Sequence, residues 1–477
     1  MDRRQFIRTS ALAGIALGVE GPAIAAPTAK KAEKKAVEPR KNAKARIGIL
    51  SDIHIIGRDS TDLFKKALLH FRSLGVDGVI VAGDMADWGT EEQLGFVQEV
   101  WESVFPAGKG EDGRPVTQLF VTGNHDLTVP TNKRVKHLGL PLDGFFVNHK
   151  EEMWERVFHE PYKPIWKKEV CGYTFIGAQF DNKLNVPGLE EFMASAGVEG
   201  DKPFFYIQHT HPKGTCSAPW AWGQDDGAST AILSRFPNCI SFTGHSHTSL
   251  TDERTIWQGS FISVGTASLR YILPFGGREN SKVCNSTEKV PSQMKVHNFD
   301  DGQQGQLMTI YDNCITLDRI EFARLDALGT WTIPLPLTGK PCTFEQRGIK
   351  SVAPQFAEGA SVYVTEATGE DRYGKAEHQF TVHFPAAAPS EARAYDYEVC
   401  VEMEDIDTVK TICTKRVFSH GYHLAACRDT GEVQCVFKTG ELCDYRRFRF
   451  AARPCNCFGV KGEPVFSDWT SLPQTKV

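Results

Sequence analysis

No cysteine occurs before Cys171, so the N-terminal third of this 477-residue chain offers no thiol for lipid attachment. Strong charge of either sign is also missing: 54 Lys and Arg against 59 Asp and Glu leave a formal −5. That balance removes the usual ground for expecting nucleic-acid binding, which shows as a basic stripe with interleaved aromatics. The one basic run, Lys30 to Lys44, is rich in Ala and Lys without aromatics, and reads as a solvated linker. Ala11 to Val19, the apolar stretch near the start, is shorter than the ~20 residues a permanent membrane span needs. Internal repeats are absent. What is present is ordinary for a globular protein: 41% hydrophobic and 24% charged residues, over a length sufficient for two or three domains.

The N-terminus carries an address. Met1-Asp2-Arg3-Arg4-Gln5-Phe6-Ile7-Arg8 resembles the twin-arginine export motif, and Ala23-Ile24-Ala25 a small-residue cleavage site after the apolar stretch. This three-part order is that of a secretory signal, and paired arginines indicate the route taken by folded proteins. Residues 1–26 are therefore expected to be a signal peptide and 27–45 a linker. The expected location is periplasmic or exported, with no transmembrane anchor once the signal is removed.

Seven of the thirteen cysteines crowd the C-terminal part: Cys400, Cys413, Cys427, Cys435, Cys443, Cys455 and Cys457. Such crowding fits disulfides in an exported chain and equally fits small buried hydrophobes. Cys455-Asn456-Cys457 has no second pair at finger spacing, which argues against zinc there.

From Arg46 the pattern alternates strands and helices. Ile47 to Leu50, Gly78 to Ala82 and Gln118 to Val121 read as apolar strands; Asp62 to Leu74 and Glu91 to Phe105 read as helices. Further strands are expected at Tyr173 to Phe180, Phe204 to Gln208, Cys239 to Phe242, Phe261 to Val264 and Met308 to Ile310. The fold class is α/β: a layered β-sandwich flanked by helices over 46–325. Residues 326–368 read as a connecting segment. From 369 to 477 short alternating runs replace helical period, as in an all-β, immunoglobulin- or fibronectin III-like sandwich of ~100 residues.

Five short clusters follow the strands of the first domain: Asp52-Ile53-His54, Gly83-Asp84, Gly123-Asn124-His125-Asp126, His209-Thr210-His211 and Gly244-His245-Ser246-His247. In α/β folds, functional side chains gather in loops beyond strand ends. Carboxylate, amide oxygen and imidazole together form a donor set for divalent metals such as Mn, Fe or Zn.

In this order the clusters resemble the motifs of the calcineurin-like metallophosphoesterase superfamily, across about residues 46–325. The resemblance implies two divalent metal ions. Asp52, His54, Asp84 and His247 are expected on the first; Asp84, Asn124, His209 and His245 on the second. Asp84 is expected to bridge, a carboxylate having two oxygens to share. The implied nucleophile is a hydroxide between the ions, since metal binding lowers water's pKa from 15.7 to about 7. His125 is expected to assist the leaving oxygen, with Asp126 orienting its ring.

Two departures narrow the resemblance. His209-Thr210-His211-Pro212 replaces adjacent histidines; strand register favours His209 as ligand and leaves His211 as a substrate-side or substitute ligand. His54 and Asp87 stand where the purple acid phosphatase branch has Gly and Tyr, which sets the chain nearer the cyclic-nucleotide phosphodiesterase-like branch. Asp87 is then expected to support a ligand from behind.

The implied activity is hydrolysis of phosphoric esters. Its alternatives are a phosphomonoesterase of a nucleotide, lipid or sugar phosphate, and, from another class, a catalytically silent metal-loaded binding protein. Trp220, Trp222, Gln224, Asp225 and Asp226 are candidates for a pocket wall or an ordinary loop. Lys133 to His137 are candidates for a distal phosphate contact or plain surface charge. Besides the phosphate-ester substrate, no nucleic acid is expected as partner. The C-terminal module is expected to bind carbohydrate, protein or the catalytic domain itself.

Overall fold

The computed structural model describes residues 42–126, 146–180, 187–216, 224–272, 302–370, 373–390, 392–419, 421–425, 431–442 and 447–471. The expected signal, most of the linker, Lys133 to His137, Trp220, Trp222, Cys427 and Cys443 lie outside these residues.

Strands β1 (Ala45–Leu50), β2 (Gly78–Ala82) and β3 (Thr117–Val121) run parallel in one sheet. Their apolar runs are nearly continuous because both faces are covered. Ile47, Ile49, Ile80, Leu119 and Val121 enter one core, Val79, Val81 and Phe120 another. Helices α1 (Asp62–Ser73) and α2 (Glu91–Val104) cover the outer face through Phe64, Leu68, Phe71, Leu94, Val97 and Trp101. The Thr90 hydroxyl starts α2 by accepting the Gln93 N–H, the usual N-cap arrangement. Helix α3 (Phe146–Phe158) adds Met153 and Trp154 to that layer.

The second sheet contains β4 (Ile165–Val170), β5 (Tyr173–Ala178), β6 (Phe204–Ile207), β7 (Cys239–Thr243), β8 (Ile256–Gln258) and β9 (Ile262–Gly265), in the order β4-β5-β6-β7-β9-β8. Strands β5, β6, β7 and β9 are parallel. Helices α4 (Leu189–Ser195) and α5 (Ala228–Leu233) cover it with Leu189, Met193 and Leu233. Between the sheets, Phe175, Phe205, Ile207, Phe242 and Val264 pack with the inward residues of β1 to β3. The layers thus run helix, sheet, sheet, helix.

Strands β10 (Gln304–Ile310), β11 (Cys314–Glu321) and β12 (Asp326–Pro334) extend the first sheet antiparallel from β1. Residues 326–334 therefore belong to the first sheet, where the sequence alone suggests a connector. Leu328, Trp331 and Ile333 are buried while the residues between them are exposed, as on an edge strand with one wet face. Helix α6 (Phe344–Ile349) follows.

The second module begins at β13 (Tyr363–Glu370), earlier than residue 369. With β14 (Ala376–Pro385) and β17 (Glu432–Lys438), β13 forms a three-stranded sheet. Strands β15 (Asp396–Asp405), β16 (Thr408–Phe418), β18 (Phe448–Cys455) and β19 (Val465–Phe466) form a four-stranded one. Phe380, Val382, Phe384, Tyr397, Val399, Phe448 and Phe450 fill the space between. The ten described cysteines form no disulfide with one another; Cys435, Cys455 and Cys457 are buried. No described helix is long and apolar enough to cross a membrane.

The module joins the first domain through buried polar contacts. Arg254, paired with Asp252, donates from Nη2 to the Tyr395 hydroxyl at 2.6 Å. The Cys457 thiol donates to Asp252 Oδ1 at 3.3 Å, and Gln304 Nε2 to the His423 carbonyl at 2.9 Å. Lys41 to Val477 accordingly form one compact unit.

Candidate metal centre

Each predicted ligand follows the carboxyl end of a parallel strand: Asp52 and His54 after β1, Asp84 after β2, Asn124 after β3, His209 after β6, His245 and His247 after β7. The loops after β1 and β2 stay paired, with Asp52 N–H donating to Gly83 O and His54 N–H to Asp84 O, both at 3.0 Å. Five of these predicted ligands have left-handed backbones: φ is 50° at Asp52, 49° at His54, 51° at Asp84, 68° at His245 and 52° at His247. Sparsely populated backbone of this kind costs about 1–3 kcal/mol per residue and persists where the surroundings fix it. Glycine is needed where the loops crowd these ligands. A Cβ on Gly123 would collide with the Asp84 carboxylate, and one on Gly244 with that of Asp52.

Two clusters, Asp52 with His54 and His247 and Asp84 with His209 and His245, adjoin through a third group of His54, Asp84 and His125. In the first, His247 Nε2 lies 3.0 Å from Asp52 Oδ1 and 3.3 Å from His54 Nε2. In the second, His209 Nε2 lies 3.2 Å from Asp84 Oδ2 and 3.0 Å from Asn124 Oδ1. The rings of His209 and His245 are 4.8 Å apart, and His245 shares a potential ligand group with Asp84 and His209. Asp84 Oδ2 also lies 3.8 Å from His54 Nε2. Oδ1 of Asp84 accepts the His125 N–H at 2.8 Å, and Oδ2 is the oxygen that lies near both His209 and His54.

The imidazoles are oriented from behind. Nδ1 of His209 meets the Ala82 carbonyl at 2.8 Å, Nδ1 of His247 the Tyr271 carbonyl at 2.9 Å, and Nδ1 of His54 Oδ1 of Asp87 at 3.1 Å. A carbonyl or carboxylate oxygen only accepts, so each Nδ1 donates and each Nε2 is turned into the site. Nε2 of His54 then faces Nε2 of His247, and Nε2 of His209 faces two oxygens. Nitrogens and oxygens converging in this way fit divalent cations, and the donor types fit Mn, Fe or Zn.

Electrostatics reflect the same crowding of acceptors. Burial opposes ionisation of Asp52, yet His247 beside it holds the carboxyl at about 2. Asp84 is likewise driven well below the carboxylate range by His209, against burial. Burial would lower His209, but Asp84 lifts it to about 9; burial, with His209 adjacent, takes His245 down to about 3. A proton on His209 thus occupies the place a cation would take.

His125 stands at the mouth, its side chain 34% exposed against 0% for Asp52 and His209. Its Nδ1 lies 2.9 Å from the Asp87 carbonyl. Asp126 is turned elsewhere. Its buried carboxylate accepts N–H bonds from Met85, Ala86 and Gly123 at 3.2, 2.8 and 2.8 Å, tying the loops after β2 and β3 together. Asp87, not Asp126, positions the His125 ring. Burial and the nearby Asp84 charge push the Asp126 carboxyl up to about 7.

His211 is outside both clusters: its Nδ1 is 2.6 Å from Thr243 Oγ1 and its Nε2 2.6 Å from Ser246 Oγ. Asp225, a candidate wall residue, closes on its own loop by accepting from Gln208, Lys213 and Gly227. Gln224 and Asp226 likewise accept from the nearby Gly214 and Ala228. The sequence reading missed Tyr271, whose ring lies 4.2 Å from that of His247 and 5.8 Å from that of His54. Its one signal was position, a few residues beyond the end of β9.

Residues 45–249, which contain all nine predicted site residues, match the family model of the calcineurin-like phosphoesterases. No curated protein matches the chain. Among solved structures, one similar chain is GAP50, described as the anchor in the inner membrane complex of Plasmodium. It has a TM-score of 0.36 and 11% identity over 63% of this chain and 90% of that one. Another is a novel archaeal phosphodiesterase, with a TM-score of 0.22 and 12% identity over 61% of this chain and 99% of that one.

Proposed function

We propose that this chain, which carries a calcineurin-like phosphoesterase domain over residues 45–249, hydrolyses phosphoric esters using two divalent ions. Asp52, His54, Asp84 and His247 would hold one; Asp84, Asn124, His209 and His245 the other. The observation that carries this reading is the set of Nε2 and carboxylate oxygen atoms facing each other around Asp84 Oδ2. Bound there, two such ions supply Lewis acidity toward phosphoryl oxygens and a water of lowered pKa.

The chain's own residues do the rest. Only Asp52 and Asp84 bring charge to the donor set, so the loaded site keeps an excess of positive charge for an anionic ester. Asp87 fixes Nδ1 of His125 and leaves its Nε2 to exchange a proton with the leaving oxygen. Asp126 keeps the loops bearing Asp84 and Asn124 in register. The likeness of the motifs to the cyclic-nucleotide phosphodiesterase-like branch favours diesters over monoesters. The paired Arg3-Arg4 segment supports export by the twin-arginine route, which carries folded, metal-loaded proteins.

The test is a side-by-side assay of the manganese-loaded chain on a nitrophenyl diester and a nitrophenyl monoester, with Asp84→Ala as control. Diester turnover lost in the control supports the reading. Faster monoester turnover moves the substrate to phosphomonoesters. Two bound ions with no turnover of either ester would favour a binding protein.

A further inference from the structure

We infer that His211, the second histidine of the His209-Thr210-His211 cluster, is a positioning residue that sets the distance between the two ion sites. The inference rests on the reading that the centre holds two ions.

His211 is fully buried, and both ring nitrogens are engaged in the turn that carries ligands for both ions. Nδ1 lies 2.6 Å from Oγ1 of Thr243, the last residue of β7. Nε2 lies 2.6 Å from Oγ of Ser246. Ser246 separates His245, on the second cluster, from His247, on the first. One rigid ring therefore spans the turn from its start to its middle. Its own backbone issues from β6, two residues after His209.

Neighbouring contacts restrict the ring further. Cys216 Sγ is 3.0 Å from Nδ1, and the Ser246 hydroxyl is 3.1 Å from that of Thr248. The main chain adds a parallel tie, Gly244 N–H donating to the His209 carbonyl at 2.9 Å. His245 and His247 both have left-handed backbones, a conformation that persists where its surroundings hold it. A planar ring with two bonded nitrogens fixes both the separation and the rotation of the loops it joins. Removing it frees the turn to rotate. The two clusters then respond together, because His245 and His247 move as one.

The experiment compares full-length wild type, His211→Phe and Ser246→Ala. Phe keeps a planar, somewhat larger ring and removes both nitrogens; Ala keeps the imidazole, removes the Nε2 contact together with the Ser246–Thr248 hydroxyl contact, and guards against misfolding of the first variant. Manganese binding is measured by calorimetry, and the metal–metal coupling by electron paramagnetic resonance. Wild type should bind two ions with an exchange-coupled signal. A wild type that binds fewer than two overturns the two-ion reading itself. If wild type binds two, the variants should bind the weaker ion about 10–100-fold less tightly, the usual effect of losing an outer partner. Their coupling should also change, at an unaltered thermal midpoint of the metal-free protein. Unchanged affinity and coupling in Ser246→Ala, and in His211→Phe if it folds, overturns the positioning role. So does a loss of binding that merely follows a loss of thermal stability.

Discussion

Asp87 holds His54 by its side chain: Oδ1 lies 3.1 Å from the ring Nδ1. The same residue reaches His125 by its main chain, the carbonyl lying 2.9 Å from that ring's Nδ1. One residue thus serves the proposed ion ligand and the proposed proton donor mainly through separate groups, its Oδ1 lying farther, 3.8 Å, from Nδ1 of His125, and substitution can largely part them.

Asp87→Ala should weaken ion binding about 10–100-fold, since it removes the partner of a ligating imidazole. The carbonyl that holds His125 survives. Saturating manganese should therefore restore most of the turnover. A titration of rate against manganese checks this; a rate that stays low at saturation would mean the carboxylate acts on the reaction itself.

His125→Gln should leave ion content at the wild-type level and slow turnover about 10²–10⁴-fold, the range for losing a general acid. The loss should be smaller for a nitrophenyl ester, whose leaving oxygen needs little protonation, than for an alkyl ester. Parallel assays on the two ester types would falsify the leaving-group role if both fell equally.

Ion binding should depend on pH through His209. Its pKa is raised from 6.5 to about 9 by Asp84, despite burial, so below that value an ion must displace a proton. Apparent affinity should rise about tenfold per pH unit between 6.5 and 9. In the metal-free protein the raised value has the opposite consequence. The stabilisation is complete below 6.5 and is lost as pH rises through about 9, so the thermal midpoint should fall across that window. The metal-loaded protein, with His209 neutral throughout, should lack this fall. Calorimetry and melting at several pH values separate the two trends.

Asp252→Ala should cost about 3–5 kcal/mol, because it takes the carboxylate partner from a buried guanidinium. Arg254 would keep its bond to Tyr395 and lose its ion pair. Both modules should melt in one transition at a lower temperature. Two separate transitions would contradict the joint unit.

The strand ends of the first domain were legible because fully covered strands leave unbroken apolar sequence, and ligands stand where those runs stop. Register alone favours His209 over His211; in the fold the His209 ring lies beside Asp84, and the His211 ring meets Thr243 and Ser246. Asp126 was misread because its partners, the N–H groups of Met85 and Ala86, lie some forty residues earlier. Adjacency to His125 was the only relation visible in the sequence. Strand β12 was hidden by its exposed face, where Thr330 and Thr332 separate buried positions. The joint between the modules was hidden for a related reason: Asp252, Arg254 and Tyr395 look like surface residues until the fold brings them together.

The left-handed turns at Asp52, His54, Asp84, His245 and His247 also act as a filter on evolution. Asp, Asn and His are among the few side-chain-bearing residues that enter this conformation with any frequency. Glutamate, equally able to bind metals, is disfavoured there before any ion is met. The main chain thereby favours short carboxylate and imidazole ligands, so a lineage descending from this protein could exchange one borderline metal for another more readily than it could rebuild the site around longer carboxylates.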